Sequence, residues 1–275
     1  MTTSPAVLMP FVAHRALGWE PIVIDESWDL LTIKKGFAYS VCKSMYCLEC
    51  GLLFLDIRFS ESEMKKLYED YRETEYTELR NYYEPGYIAR NNFLKAGNNY
   101  IHQVEDFLRP YMSQNLKILD WGGDTGVNTP FKDVAEYIDI YDISNKIKKN
   151  NISYVNLPEV FAREYSLIIC SNVLEHVPYP YEILKKIFSI MNSSTILYIE
   201  VPYETLMFDK NEKLPDRKKH WHEHINFFSE LSLKKLADSA DFEIMSLRTI
   251  RVLTGGNFNT IFQIACRIKI LTFTD

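Results

Sequence analysis

Lys117-Ile-Leu-Asp120-Trp-Gly-Gly-Asp-Thr-Gly126 is the stretch on which the fold turns. A short apolar run passes without a break into a glycine-rich loop. That junction is expected where a central strand of an open α/β sheet ends at the carboxyl edge, the edge at which such sheets bind ligands. Working outward, residues 135–141, 165–170 and 195–201 read as further buried strands, and residues 181–191 and 229–240 as helices. Residues 242–247 and 259–268 read as closing strands, with Gly255-Gly256-Asn257 as the loop before the last. The alternation predicts an α/β fold with a doubly wound, mainly parallel sheet.

The rest of the chain sets the surroundings of this domain. At 275 residues, with 47% hydrophobic and 25% charged, it is long enough for one α/β domain and a smaller appendage, and too apolar to be disordered. A net charge of −6 and the lack of a basic patch argue against a nucleic-acid partner. No apolar run approaches the roughly 20 residues of a membrane span, and the start lacks a signal-peptide pattern, so a cytoplasmic protein is expected. Residues 1–60 carry Pro5, Pro10, Pro21 and short alternating segments, with little helical period. Ser60 with Glu63 forms a capping box, followed by Met64, Leu67, Tyr68 and Tyr71 at helical spacing. A turn at Pro85-Gly86 precedes a second helix over residues 87–108. Three parts are predicted: a small module at 1–60, a helical linker and lid at 61–110, and the main domain at 111–275.

The loop itself narrows the ligand. It is not the dinucleotide pattern G-x-G-x-x-G, because Asp124 stands between Gly122 and Gly126, where a carboxylate would repel a pyrophosphate. A nicotinamide-dependent oxidoreductase is disfavoured for the same reason. A cationic cofactor without phosphate, such as S-adenosylmethionine (SAM), suits a loop bearing Asp120 and Asp124. Asp142 follows at the end of the next strand, roughly 20 residues on, where an acidic group accepts ribose hydroxyls in nucleotide-binding βαβ units.

Two clusters remain. Cys42-x4-Cys47-x2-Cys50-Gly51 has the spacing of half a zinc ribbon, and His14 is the economical fourth ligand for a closed structural zinc site; buried or free thiols are the alternative. His220-Trp-His-Glu-His224 is dense in imidazoles. Its H-x-H spacing suits a metal if extended, yet no second acidic cluster lies nearby in sequence. Proton transfer is the better reading, because a nucleophile attacking a sulfonium methyl must be deprotonated near neutral pH.

Together these residues resemble the class I SAM-dependent methyltransferases over residues 116–268. Asp120-Trp-Gly-Gly-Asp-Thr-Gly126 is similar to their first motif, with Asp124 replacing its middle glycine. Asp142 matches the second motif, and Ile168-Ile-Cys-Ser-Asn-Val-Leu-Glu-His176-Val-Pro178 looks like the motif of strand four. The resemblance implies a Rossmann-like, seven-stranded sheet. It implies that Gly122, Gly123, Asp124 and Gly126 pass the methionine portion, with Asp120 at the head of the loop. Asp142 would hold the ribose, and Asn156 or Leu157 would stand near the adenine. Ser171, Asn172 and Glu175 would lie near the methyl group. A subgroup that includes sugar C-methyltransferases carries an N-terminal zinc module, and Cys47-Leu-Glu-Cys-Gly-Leu-Leu-Phe54 resembles its second knuckle, although the usual first C-x2-C pair is absent. The segment from His222 to Ser229 resembles that subgroup's H-E-H-x-x-[YF]-F-S motif, which implies active-site roles for His222, Glu223 and His224, joined by His176 and Tyr76. The expected activity is methyl transfer to a carbon or oxygen of a sugar, nucleotide-sugar or similar polar metabolite. A catalytically inactive scaffold with a zinc-ribbon interaction module is the alternative.

Overall fold

Ile118 and Leu119 are fully buried and pack into different apolar clusters, because neighbouring strand residues face opposite sides of a sheet covered on both. The computed structural model describes residues 1–28, 35–144, 152–207, 214–254 and 257–270. Its strands are β1 (Thr2–Leu8), β2 (Ile22–Ile24), β3 (Gly36–Ala38), β4 (Val41–Tyr46), β5 (Leu53–Leu55), β6 (Lys117–Trp121), β7 (Tyr137–Tyr141), β8 (Ile152–Tyr154), β9 (Leu167–Ser171), β10 (Ile196–Pro202), β11 (His220–Trp221), β12 (Asn226–Phe227), β13 (Phe242–Thr254) and β14 (Asn257–Ile268).

The large sheet has seven strands in the order β13-β14-β10-β9-β6-β7-β8. β10, β9, β6, β7 and β8 are parallel, while β14 runs antiparallel between β10 and β13. The chain leaves β6 toward β7 and β8 and then returns to place β9 on the other side of β6. That reversal opens a crevice at the carboxyl ends of β6 and β9. The helices Pro180–Phe188 and Glu230–Ser239 cover one face through Leu184, Ile187, Leu233 and Ala237; Ile101–Leu108 covers the other through Val104 and Leu108.

The capping box at Ser60 forms as read: its side chain accepts from the Glu63 N–H at the start of the helix Glu61–Tyr68. The single helix expected over 87–108 is instead two, Tyr87–Lys95 and Ile101–Leu108, parted at Gly97 with φ +85°. A further helix, Thr74–Tyr83, occupies the tyrosine-rich stretch. Gly255 and Gly256 of the expected loop lie outside the described residues.

The N-terminal segment does not close on itself. A second sheet has the order β11-β1-β4-β5-β12, so its outer strands come from the segment that carries the histidine cluster. Trp221, fully buried, donates its indole N–H to Ser44 Oγ at 2.9 Å, and Ser44 in turn donates to the Lys218 carbonyl. Residue 60 is therefore no boundary in this sheet.

The four-ligand zinc centre expected from His14, Cys42, Cys47 and Cys50 is not assembled. Pairing of β4 with β1 sets Cys42 opposite Ala6 and commits its thiol to the apolar core, where burial, reinforced by the charge of Asp56, pushes it up to about 12. His14 lies against a different neighbour, its Nδ1 2.8 Å from the Tyr83 hydroxyl. Only Cys47 and Cys50 stay together, across a turn closed by the Gly51 N–H on the Cys47 carbonyl at 2.9 Å. Among the described residues, these four form no group with converging ligand atoms.

Candidate functional site

The carboxyl ends of β6, β7, β9 and β10 open into a cavity of about 570 Å³. The glycine loop forms one wall. Gly122 has φ +79°, and a Cβ there would lie 2.5 Å from Val173 Cγ2, so the loop can pass over the strand-four segment only without a side chain. Its N–H donates to the Tyr141 carbonyl at 2.7 Å and ties the loop to the end of β7. Gly126 closes the turn through its N–H to the Gly123 carbonyl at 2.8 Å. It sits against Ile140 and Ile152 behind the loop and is not among the residues that line the cavity.

Asp124, the residue that broke the glycine pattern, adopts φ +50°. Its N–H donates to Asp142 Oδ2 at 2.9 Å, Tyr154 donates to its carbonyl at 2.9 Å, and its carboxylate lies 3.3 Å from Arg72. The Asp142 carboxylate is further fixed by the Ser144 N–H at 2.8 Å and the Ser144 hydroxyl at 2.6 Å. Asp120 is nearly enclosed and accepts from Thr129 Oγ1 at 2.6 Å. Burial, reinforced by the charges of Asp142 and Asp124, raises its carboxyl to about 7. Asn156 is not on the wall, because its side chain accepts from the Glu159 N–H and caps the helix Leu157–Phe161.

Glu200 anchors the floor, and the sequence reading missed it. Its Oε1 accepts from Tyr100 at 2.8 Å, Ser171 at 3.1 Å and Asn172 at 3.2 Å; its Oε2 accepts from Tyr198 at 2.5 Å and Gln263 at 3.0 Å. Ser171 and Asn172 thus line the cavity in orientations set by a carboxylate beneath them. The available signal was a lone acid inside the apolar strand 195–201.

The opposite wall brings Glu175 and His176 from the end of β9 against Glu223 and His224 from between β11 and β12. Glu223 Oε1 accepts from Arg80 at 2.6 Å and from Tyr76. Burial alone would raise its carboxyl, but the Arg80 charge and the hydrogen bonds outweigh it and hold the group near 2. A carboxylate so strongly held is a weak proton acceptor at neutral pH, and is suited to accept hydrogen bonds rather than to take a proton. Tyr76 is fully buried behind the wall and is a positioning residue for Glu223. His222 turns away from the cavity toward Glu84, with Nδ1 3.2 Å from Oε1.

His176 and His224 meet edge to face, with ring centroids 4.6 Å apart. His176 Nδ1 lies 3.2 Å from the Glu223 carbonyl and 2.9 Å from the Tyr68 hydroxyl. The Tyr68 hydroxyl can donate or accept, whereas the carbonyl only accepts, so the tautomer with its proton on Nδ1 satisfies both oxygens and leaves the lone pair on Nε2. Burial, assisted by His224, depresses His176 to about 3 and keeps it neutral. His224 donates from Nδ1 to Glu204 Oε1 at 3.1 Å. Burial opposes its protonation, but that bond and the charges of Glu175, Glu204 and Glu223 lift it above the ordinary histidine value. Glu175 is fully buried, and burial raises its carboxyl to about 7. Arg80, Tyr68 and Glu204 were not singled out as site residues from sequence.

A sheet of this order, with a glycine loop after its central strand, an acid after the next and a polar pocket between, defines a Rossmann-like methyltransferase. A family model described as a methyltransferase domain matches residues 92–247, and the chain belongs to that family of SAM-dependent methyltransferases. Similar solved structures include the 1,6-didemethyltoxoflavin-N1-methyltransferase of Burkholderia thailandensis, at 14% identity, 68% of this chain, 90% of that chain and TM-score 0.46. The magnesium protoporphyrin IX methyltransferase of Synechocystis PCC 6803 is similar at 16% identity, 66% of this chain, 86% of that chain and TM-score 0.43. A SAM-dependent methyltransferase of Methanosarcina mazei is similar at 15% identity, 60% of this chain, 97% of that chain and TM-score 0.44. No curated protein matches the sequence. The open cavity bounded by Gly122, Gly123 and Asp124, with the Asp142 carboxylate on its wall, fits a nucleoside cofactor.

Proposed function

We propose that this methyltransferase acts on a small polar metabolite of the sugar or nucleotide-sugar class, at carbon or oxygen. The observation that carries the reading is the wall facing the cofactor loop, where the Arg80–Glu223 pair, His176 and His224 stand beside the rings of Tyr68 and Tyr87. Charged and imidazole groups match hydroxyls and carbonyls, and aromatic faces match the apolar side of a sugar ring. When bound, SAM supplies an electrophilic methyl on a sulfonium. Asp142 would take the ribose hydroxyls, the acids of the loop would face the cationic end, Glu223 would orient the acceptor, and Glu175, His176 and His224 would orient and activate it. Residues 1–60 and 61–110 cover the acceptor side in this reading. Five free cysteines suit the reducing cytoplasm. Asp124, which replaces the middle glycine of the first motif, is accommodated by Arg72 and Asp142.

Calorimetric titration with S-adenosylhomocysteine tests the cofactor half. Micromolar binding is expected, weakened about 10- to 100-fold in Asp142→Ala by loss of charged hydrogen bonds. No binding to the intact wild type brings back the scaffold reading. Turnover of SAM against a panel of nucleotide-sugars, free sugars and apolar aromatics tests the acceptor half. Turnover with sugars, suppressed in His224→Ala at unchanged S-adenosylhomocysteine affinity, is expected; turnover confined to apolar aromatics would refute the acceptor class.

A further inference from the structure

Glu175, His176 and His224 each present one ligand atom, all within 4.8 Å of one another, on the cavity wall. Both histidines can be oriented as metal ligands are: each places Nδ1 within hydrogen-bond distance of an oxygen acceptor, the Glu223 carbonyl at 3.2 Å and Glu204 Oε1 at 3.1 Å, so that with the protons on Nδ1 both Nε2 atoms are left for a further partner. Glu175 is fully buried, and neither carboxylate oxygen has a hydrogen-bond partner among the described residues. A buried ionised carboxylate left so is strongly unfavourable unless something positive meets it. His176 Nε2 lies 3.9 Å from Glu175 Oε1 but is neutral, and the charge that favours the ionised form is that of His224.

We propose that Glu175, His176 and His224 bind a divalent transition-metal cation of the zinc, cobalt or manganese class. Two imidazoles and one carboxylate suit these ions better than magnesium, which prefers oxygen ligands and keeps its waters. Bond lengths of about 2.0–2.2 Å require the three atoms to close to about 3.3 Å of one another, a small movement for a carboxylate that no hydrogen bond holds. The sequence reading set aside a metal here because the H-x-H spacing lacked a nearby acid; the fold supplies one from β9. The consequence rests on the methyl-transfer reading. The remaining coordination positions face the cavity, and an acceptor oxygen bound there would lose its proton more readily. Both imidazole lone pairs are then used by the cation, whose charge takes the place of proton capture.

The test is titration of the full chain, stripped with a chelator and desalted, with zinc, manganese and magnesium chlorides in the absence of acceptor. One zinc per chain at micromolar or tighter affinity is expected, weakened 100-fold or more in Glu175→Gln and unchanged in Cys47→Ser. Zinc that fails to bind stoichiometrically, or that is lost in Cys47→Ser and kept in Glu175→Gln, overturns the proposal. Should Glu175→Gln fail to fold, the absorption spectrum of the cobalt-loaded wild type decides. Visible d–d bands without thiolate charge transfer support the site, and a thiolate band refutes it. S-adenosylhomocysteine titrated into the same stripped protein reports the cofactor reading separately.

Discussion

Arg80 shows how much one side chain holds. It lies one turn after Tyr76 on the helix Thr74–Tyr83, and its guanidinium bonds Glu223, the Tyr76 hydroxyl at 3.1 Å and Glu84 at 3.3 Å, over the ring of Tyr87. Replacing it by Met leaves Glu223 buried, charged and short of its partner, a loss of about 3–5 kcal/mol. Urea denaturation of Arg80→Met at neutral pH should show that loss, shrinking as acid protonates Glu223; a loss under about 1 kcal/mol would mean that solvent reaches the pair. Glu223 could be found from sequence because it sits in a compact motif. Arg80 could not: it is a lone basic residue among tyrosines, and only the packing of a helix against a distant strand pair brings it to Glu223. Glu204 and Tyr68 escaped for the same reason, their partners being 20 and 108 residues away.

The second sheet makes a corresponding point for whole elements. β11 and β12 are two residues each, too short for any periodic pattern, yet they flank β1, β4 and β5 and so hold the His222 to His224 turn over the cavity. β1 was hidden by Pro5, which is tolerated because β11 covers β1 only at Val7 and Leu8 and leaves the strand's earlier edge unpaired. The elements that could be read were those with local chemistry: the strand-to-loop junction at β6, and the cap at Ser60, which bonds its own first turn. Ser44→Ala tests the joint between the N-terminal segment and the histidine segment. It strips a buried indole N–H of its acceptor and the Lys218 carbonyl of its donor, so stability should fall by about 1–3 kcal/mol. Amide exchange should quicken in β1, β4 and β11 together; quickening confined to β4 would mean that the two segments open separately.

Across the whole molecule, the site is a concentration of acids held with few cations in a chain of net charge −6, and its titration should shape stability. Asp120 has its folded value raised to about 7 from an ordinary 3.8, mainly by burial, so between those values the folded state binds a proton that the unfolded chain has released. Stability from this group therefore falls as pH rises from about 4 to 7, by up to about 1.4 kcal/mol per pH unit. Glu175, raised from 4.5 to about 7, acts in the same direction. His176 acts oppositely: it is depressed from 6.5 to about 3, so the unfolded chain takes up the proton and stability rises across that range. The two acids outweigh the histidine where the ranges overlap, so the wild-type curve sums three contributions and its slope cannot be assigned to Asp120 alone. The difference between Asp120→Asn and wild type removes the shared contributions. The variant, which keeps the shape of the side chain and carries no charge, should gain on the wild type steadily from pH 4 to 7 in chelator-treated protein followed by denaturant unfolding. A difference independent of pH would place the Asp120 carboxylate in contact with water and would require the glycine loop to be more open than its bonds to Asp142 and Tyr141 allow.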